Sequence, residues 1–243
     1  PKIKSKGYIT IDDSGKHSFI FIKFCGVDNN KILKTIGGGN SNKKDKIYLK
    51  YIDKYKNIIK DKLSIVSIDN AMEMTELLLK FSAYRMYLES NIENKDKFIL
   101  VQFLTYDNAY VNNLPRIKKE VEDIKKEFGE NSIYYEEFNE DEKNIDFRER
   151  LALFTLGNVL LLMQRFNRIC SLIIEYLLVQ DKNKIFGVIV NESNSTPKKI
   201  SSANCINSYN IDEIIKYIDG IIKMDNNLRI ENLNKDLIYI KNN

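Results

Sequence analysis

Short, almost unbroken apolar runs alternate along this chain with segments whose apolar residues fall at helical spacing, and no other feature constrains the fold as much. Leu63–Ile68 (LSIVSI), Lys97–Leu104 (KFILVQFL), Val159–Met163 and Ile185–Val190 (IFGVIV) read as strands that are apolar on both faces. Ser132–Tyr135 and Asn204–Ile206 are weaker strand signals. Between them, Glu76–Leu88 sets Leu77, Leu78, Phe81, Tyr84 and Leu88 on one helical face, and Pro115 opens a charged helix running to Phe128. Phe147–Thr155, Ser171–Val179, Asp212–Met224 and Leu228–Ile240 complete the predicted helices. Strands buried on both faces and alternating with helices imply a parallel sheet covered on both sides. The pattern therefore predicts an α/β fold: a single Rossmann-like, doubly wound, mostly parallel sheet with helices on both faces. Any ligand crevice would lie at the carboxyl ends of its strands. Residues 63–243 are expected to form this domain with its C-terminal helices. Residues 1–62 lead into it through a strand at Ser18–Phe24, a loop at Ile36–Lys44 and an amphipathic helix at Lys46–Ile59.

Several function classes lose support from composition and motif content. A chain of 243 residues can bury a substantial core without disulfides or metal, and its net charge of +4 is too small and dispersed to argue for nucleic acid. Cys25, Cys170 and Cys205 fit neither a disulfide framework nor zinc-ligand spacing, and His17 is the one histidine, so no metal site or cofactor is called for. The cysteines suit a reducing compartment, and the basic start at Pro1–Lys6 leads into no apolar segment, so a cytoplasmic protein is expected. Leu151–Val179 is the most apolar stretch, but Gln164, Arg165, Asn167 and Arg168 cut it into runs shorter than the ~20 residues a membrane span needs. Gly37, Gly38 and Gly39 are not followed in register by a lysine–serine or lysine–threonine pair, and so read as a loop and not as a phosphate cradle. Glu136, Glu137, Glu140, Asp141 and Glu142 read as a solvated acidic loop. The 14 tyrosines follow no base-stacking pattern. The chain opens on Pro1 without an initiator methionine, as a fragment would.

A collinear set of short matches carries more information. Phe24-Cys25-Gly26-Val27-Asp28 sits where one family has a strand ending before Gly-Ile-Asp. Ile65–Asp69, then Lys80 and Leu88, follow that family's Val-Asp strand end and the helix after it. Phe98–Gln102 is similar to its Val-Leu-Val-Gln strand, Leu151–Val159 to its Ala-Leu-Tyr-Ala-Leu-Ala-Asp-Val, and Glu175-Tyr176 to the Glu-Tyr of its donor-site helix. Glu192 and Tyr209–Glu213 echo two later motifs. In this order and at this spacing the chain resembles the C-terminal, donor-side half of glycosyltransferase family 20, the trehalose-6-phosphate synthases. The resemblance implies a GT-B architecture in which two Rossmann-like domains enclose the active site. It covers the chain from Lys16 on and leaves the acceptor-side domain unmatched.

The resemblance also implies a site, and there the residues depart from the pattern. Transfer from a nucleotide sugar requires cations and backbone N–H groups to stabilise charge on the departing diphosphate. The family's Arg and Lys after the Val-Asp strand end correspond here to Asn70 and Thr75, both neutral. Losing two charged hydrogen bonds costs roughly 3–6 kcal/mol, or about 10²–10⁴ in donor affinity or rate. The family's Asp-Gly-Met-Asn-Leu-Val loop reads Asn167–Leu172 here, with Arg168 replacing the glycine, and the later Ala-Gly is Asn194-Ser195. Arg165 or Arg168 could replace the lost cations only if the site were rebuilt from another loop. Glu175 remains as the nucleotide-sugar-binding residue, at the position whose carboxylate hydrogen-bonds the ribose hydroxyls. The alternative is a carboxylate kept by packing.

The expectation is thus a degenerate trehalose-6-phosphate-synthase-like domain with no catalytic residue of its own and weak or no binding of UDP-glucose. Its expected role is as scaffold or regulator, with trehalose-6-phosphate synthase or phosphatase subunits or domains as partners and no nucleic acid or membrane. An active glucosyltransferase fragment using UDP-glucose and glucose-6-phosphate, and a repurposed Rossmann domain binding another nucleotide or sugar phosphate, stay open.

Overall fold

The computed structural model describes residues 8–13, 16–21, 27–38, 44–164, 171–193 and 200–242. Two antiparallel strands, β1 (Tyr8–Asp13) and β2 (Lys16–Phe21), form a hairpin in which Tyr8 pairs with Phe21 and Asp13 with Lys16. The first of these strands is an addition to the predicted elements, and the end of the expected Ser18–Phe24 strand lies outside the described residues.

Helix α1 (Asn29–Ile36) is an addition to the predicted elements and runs up to the loop expected at Ile36–Lys44. Its stop signals are local. Asp28 accepts a hydrogen bond from the Lys31 N–H at the start, and Gly37 takes φ +81° at the end, a conformation that favours glycine. Helix α2 (Lys46–Ile59) spans the predicted range. Asp45 caps it through the Ile47 and Tyr48 amides, and Tyr48, Ile52, Tyr55 and Ile59 turn its one apolar face to the core. Burying Ile52 and Ile59 is worth roughly 1.5–3 kcal/mol each.

Six parallel strands then build one sheet: β3 (Leu63–Asn70), β4 (Phe98–Tyr106), β5 (Ile133–Asn139), β6 (Val159–Leu162), β7 (Gly187–Asn191) and β8 (Ala203–Ile206). Their spatial order is β5-β4-β3-β6-β7-β8. The chain builds outward from β3 to β5, then returns to add β6 on the other side of β3. This is the doubly wound order predicted, and its switch point lies between β3 and β6.

The helices that follow are α3 (Met74–Ser90), α4 (Leu114–Phe128), α5 (Phe147–Leu156), α6 (Ser171–Leu178), α7 (Ile211–Lys223) and α8 (Asn226–Asn242). Alternate strand residues divide between two cores. Val66, Val101, Phe103, Leu160 and Val188 pack with α2, α5, α6 and α8 on one face. Ile65, Leu100, Leu104, Leu161 and Ile189 pack with α3, α4 and α7 on the other. Leu151, Ala152, Leu153 and Phe154 are fully buried, so this apolar stretch is core, and among the described residues no helix is long and apolar enough to cross a membrane.

One part of the predicted acidic loop is strand. β5 runs on through Glu136 and Glu137 because parallel pairing with Phe103 and Leu104 extends it. The two carboxylates point to opposite faces of the sheet, where Lys54 neutralises Glu136 and Lys118 neutralises Glu137, each at 3.0 Å.

Candidate functional site

A cleft of about 410 Å³ opens at the carboxyl ends of β3, β4 and β6, where the strand order reverses. Asp69 and Asn70 end β3 on its wall, Thr105 lies near the end of β4, and Gln164 follows β6. Arg150 of α5, Leu172 of α6 and Glu140 after β5 close the sides.

Its floor is a buried polar cluster. Lys80, on α3, has no exposed side-chain surface and forms an ion pair with Asp69. The Lys80 ammonium also donates to the Ser67 hydroxyl, and the Asp69 Oδ2 accepts from Ser67 at 2.8 Å and Gln102 Nε2 at 2.9 Å. Burial pulls the Lys80 ammonium below its ordinary value, and Asp69 opposes that pull. Two of the motif residues, Asp69 and Gln102, therefore meet across the sheet and fix the end of β3. The charge of Lys80 is spent on Asp69, at the base of the cleft.

Asn70, which stands where the family pattern has a cation, is occupied by structure. Its Oδ1 caps the 3₁₀ turn Ala71–Glu73 through the Met72 amide at 2.9 Å. Its Nδ2 donates to Thr105 at 3.2 Å and Glu140 at 3.3 Å. Thr75 lies exposed on the first turn of α3.

Glu175, the predicted ribose contact, sits on α6 almost a turn beyond Leu172, with 7% of its side chain exposed. Arg150 holds it by two hydrogen bonds, Nε to Oε2 at 2.6 Å and Nη2 to Oε1 at 3.1 Å. The ring of Phe147 lies 5.7 Å from the Arg150 guanidinium carbon. Sequence reasoning misses Arg150 because 25 residues separate it from Glu175 and only folding brings α5 and α6 side by side. Among the described lining residues Arg150 is the one cation, and this fork commits it to Glu175.

The other motif matches turn out to serve local structure. Asn210 caps α7 through the Glu213 amide at 3.2 Å. Glu192 is exposed after β7, and its backbone N–H donates to the Ile206 carbonyl at 2.8 Å. Arg165, Arg168, Asn194 and Ser195 lie outside the described residues. A second pair of carboxylates, Glu136 and Glu149, comes together around Lys54 Nζ and the Tyr55 hydroxyl. Burial lowers the Lys54 ammonium but the two carboxylates outweigh it, so it is pushed up to about 12. One lysine neutralising both acids makes this a structural clamp between α2, α5 and β5. Among the described residues no group of three or more His, Cys, Asp or Glu side chains could hold a metal ion.

Comparison with known proteins gives one consistent picture. The sequence model of glycosyltransferase family 20 matches residues 3–243. An α,α-trehalose-phosphate synthase (UDP-forming) of Candida albicans is 24% identical over 203 residues, which is 82% of this chain and 41% of that protein. Among solved structures, an α,α-trehalose-phosphate synthase from Burkholderia xenovorans, in complex with glucose-6-phosphate, superposes with a TM-score of 0.80 at 18% identity, over 98% of this chain and 51% of that one. The N-terminal domain of Candida albicans trehalose-6-phosphate phosphatase superposes with a TM-score of 0.79 at 16% identity, over 96% and 48%. The chain thus spans about half or less of the length of the proteins it matches.

Proposed function

We propose that this chain, which belongs to glycosyltransferase family 20, is a trehalose-6-phosphate-synthase-like domain that no longer transfers glucose. In this reading residues 63–243 are a donor-side domain kept as a scaffold or regulatory part of a cytoplasmic synthase–phosphatase assembly. The observation that carries the reading is the charge of the cleft. A diphosphate needs preorganised cations, and the described lining residues offer only a guanidinium already held by Glu175. To bind a donor, Arg150 would have to leave Glu175, and the buried carboxylate would then need the ribose hydroxyls as replacement partners. That exchange trades a charged bidentate pair for neutral donors, which is unfavourable. The partner proposal draws on the Candida albicans phosphatase, whose N-terminal domain has the same fold.

Calorimetry with UDP and UDP-glucose tests this. No binding heat is expected at millimolar ligand. Micromolar UDP binding that Glu175→Ala weakens would overturn the reading in favour of an active donor half, with Arg165 or Arg168 as the relocated cation. Binding of an unrelated nucleotide instead would mark a repurposed Rossmann domain. Co-purification with a synthase or phosphatase subunit is the expected positive result for the assembly role.

A further inference from the structure

We propose that the cavity at the amino ends of β3 and β6, ringed by Lys56, Lys60, Lys62 and Lys184, binds a small phosphorylated anion. It lies at the opposite edge of the sheet from the cleft, because β3 begins here at Leu63 and ends there at Asn70. Eight residues at strand rise separate the two openings by roughly 25 Å. The cavity measures about 290 Å³, near the lower end of the ~300–1,000 Å³ usual for small-molecule sites.

Four lysines line it against one lining carboxylate, Asp61. Two of the four, Lys62 and Lys184, are held by hydrogen bonds to backbone carbonyls. Lys184 is partly buried and reaches in from the loop before β7, spending two of its three donors on the carbonyls of Thr155 and Gly157 at 2.8 Å each. Lys62 lends its stem to the wall, and its ammonium donates to the Asn131 carbonyl at 2.9 Å in the neighbouring recess. Lys56 and Lys60 are exposed and make no ion pair among the described residues. Burial also pushes the Lys184 ammonium down, to about 7, with Asp181 opposing.

The backbone supplies an independent sign. Lys60 ends α2 at φ +54° and ψ −131°, and it is the sole described residue other than glycine with positive φ. Side chains disfavour that conformation, and such strain gathers at binding sites. Here it falls in the turn 60–62 that borders the cavity, where a glycine would fit the backbone but supply no charge. Ile59, Leu63 and Leu156 line the remaining wall and suit a carbon skeleton. Compact ammonium groups recognise phosphate as point charges, without the planar fork that carboxylate recognition favours. Together these features select a small phosphate-bearing molecule.

The proposal does not depend on the donor-side reading, and silence toward UDP leaves it standing. Its test is an amide chemical-shift titration of the whole 243-residue chain with inorganic pyrophosphate at constant ionic strength. Saturable shifts are expected at Lys60–Leu63, Gly157, Asn158 and Lys184. The Lys56→Gln/Lys60→Gln variant changes only exposed side chains, so its fold is safe, and its dissociation constant is expected to rise about tenfold or more. Lys184→Met provides a second arm. Non-saturating shifts, shifts centred on Asn70 and Gln164, or equal affinity in the double variant would overturn the proposal.

Discussion

Arg150 and Glu175 meet across the α5–α6 contact through Nε–Oε2 and Nη2–Oε1 hydrogen bonds of 2.6 and 3.1 Å, with the carboxylate nearly buried. Truncating the arginine strands that carboxylate. Arg150→Leu should therefore destabilise the chain by roughly 3 kcal/mol, the cost of leaving a buried charge unpaired. Urea denaturation reads this directly. The variant should still give no UDP heat, because freeing Glu175 restores no phosphate-binding cation. A stability change within about 0.5 kcal/mol would mean that the fork is a dispensable surface contact.

Lys80 and Asp69 form the other buried pair, and here neither side chain reaches solvent. Lys80→Met should cost about 3–5 kcal/mol, since among the described residues Asp69 then keeps the Gln102 amide and a Ser67 hydroxyl that also lies 2.6 Å from the Leu161 carbonyl. Asp69→Asn in the same background should recover part of that loss. A double-mutant cycle is expected to give a coupling of roughly 1–3 kcal/mol. Additive losses would show that the two residues act separately.

These two pairs also mark how far the sequence can be read. The four inner strands β3, β4, β6 and β7 and the helices around them are legible because both faces of those strands are apolar and helix periodicity survives in α2, α4 and α7, whereas the edge strands β5 and β8 signal more weakly. Helix α1 is not legible, because it buries only Ile32 and Thr35 and so carries little apolar pattern, although its Asp28 cap and Gly37 stop stand in the sequence. The end of β5 is hidden because Glu136 and Glu137 look like loop residues until Lys54 and Lys118 are placed beside them. Glu175 can be named from its motif, but the residue that occupies it cannot. Nothing local links Arg150 to Glu175 or Lys80 to Asp69, and pairing of that kind exists only once helices dock.

Gly157 sits in the Leu151–Val159 motif match, between α5 and β6, at φ −64°, so its backbone would accept any residue. Space is what it lacks. A Cβ there would lie 2.6 Å from Val66 Cγ2 and 2.7 Å from Cγ1, in the middle of β3. Gly157→Ala should cost about 1–3 kcal/mol by overpacking. Val66→Ala is expected to destabilise by itself but to relieve the clash when combined with it. A neutral Gly157→Ala would show that the sheet yields locally at β3.

The pH dependence of stability should expose Lys184. Burial lowers its folded-state value from 10.5 to about 7, while Asp181 opposes the shift. Between those values the unfolded chain binds a proton that the folded chain releases, so stability should rise with pH across the window. Below about 7 both states are protonated and the burial penalty is constant. Lys80 and Lys62 are displaced in the same direction, and Lys56, Lys60 and Asp61 share the Lys184 cavity. All of them remain in Lys184→Met, so the difference between wild type and variant isolates the one group. Denaturation between about pH 7 and pH 9 should give a wild-type slope that exceeds the variant's. Saturating pyrophosphate should flatten the wild-type slope as well, because a bound anion favours the protonated amine and restores its value toward 10.5. Equal slopes in wild type and variant would show that Lys184 keeps its proton throughout, held by the Thr155 and Gly157 carbonyls alone.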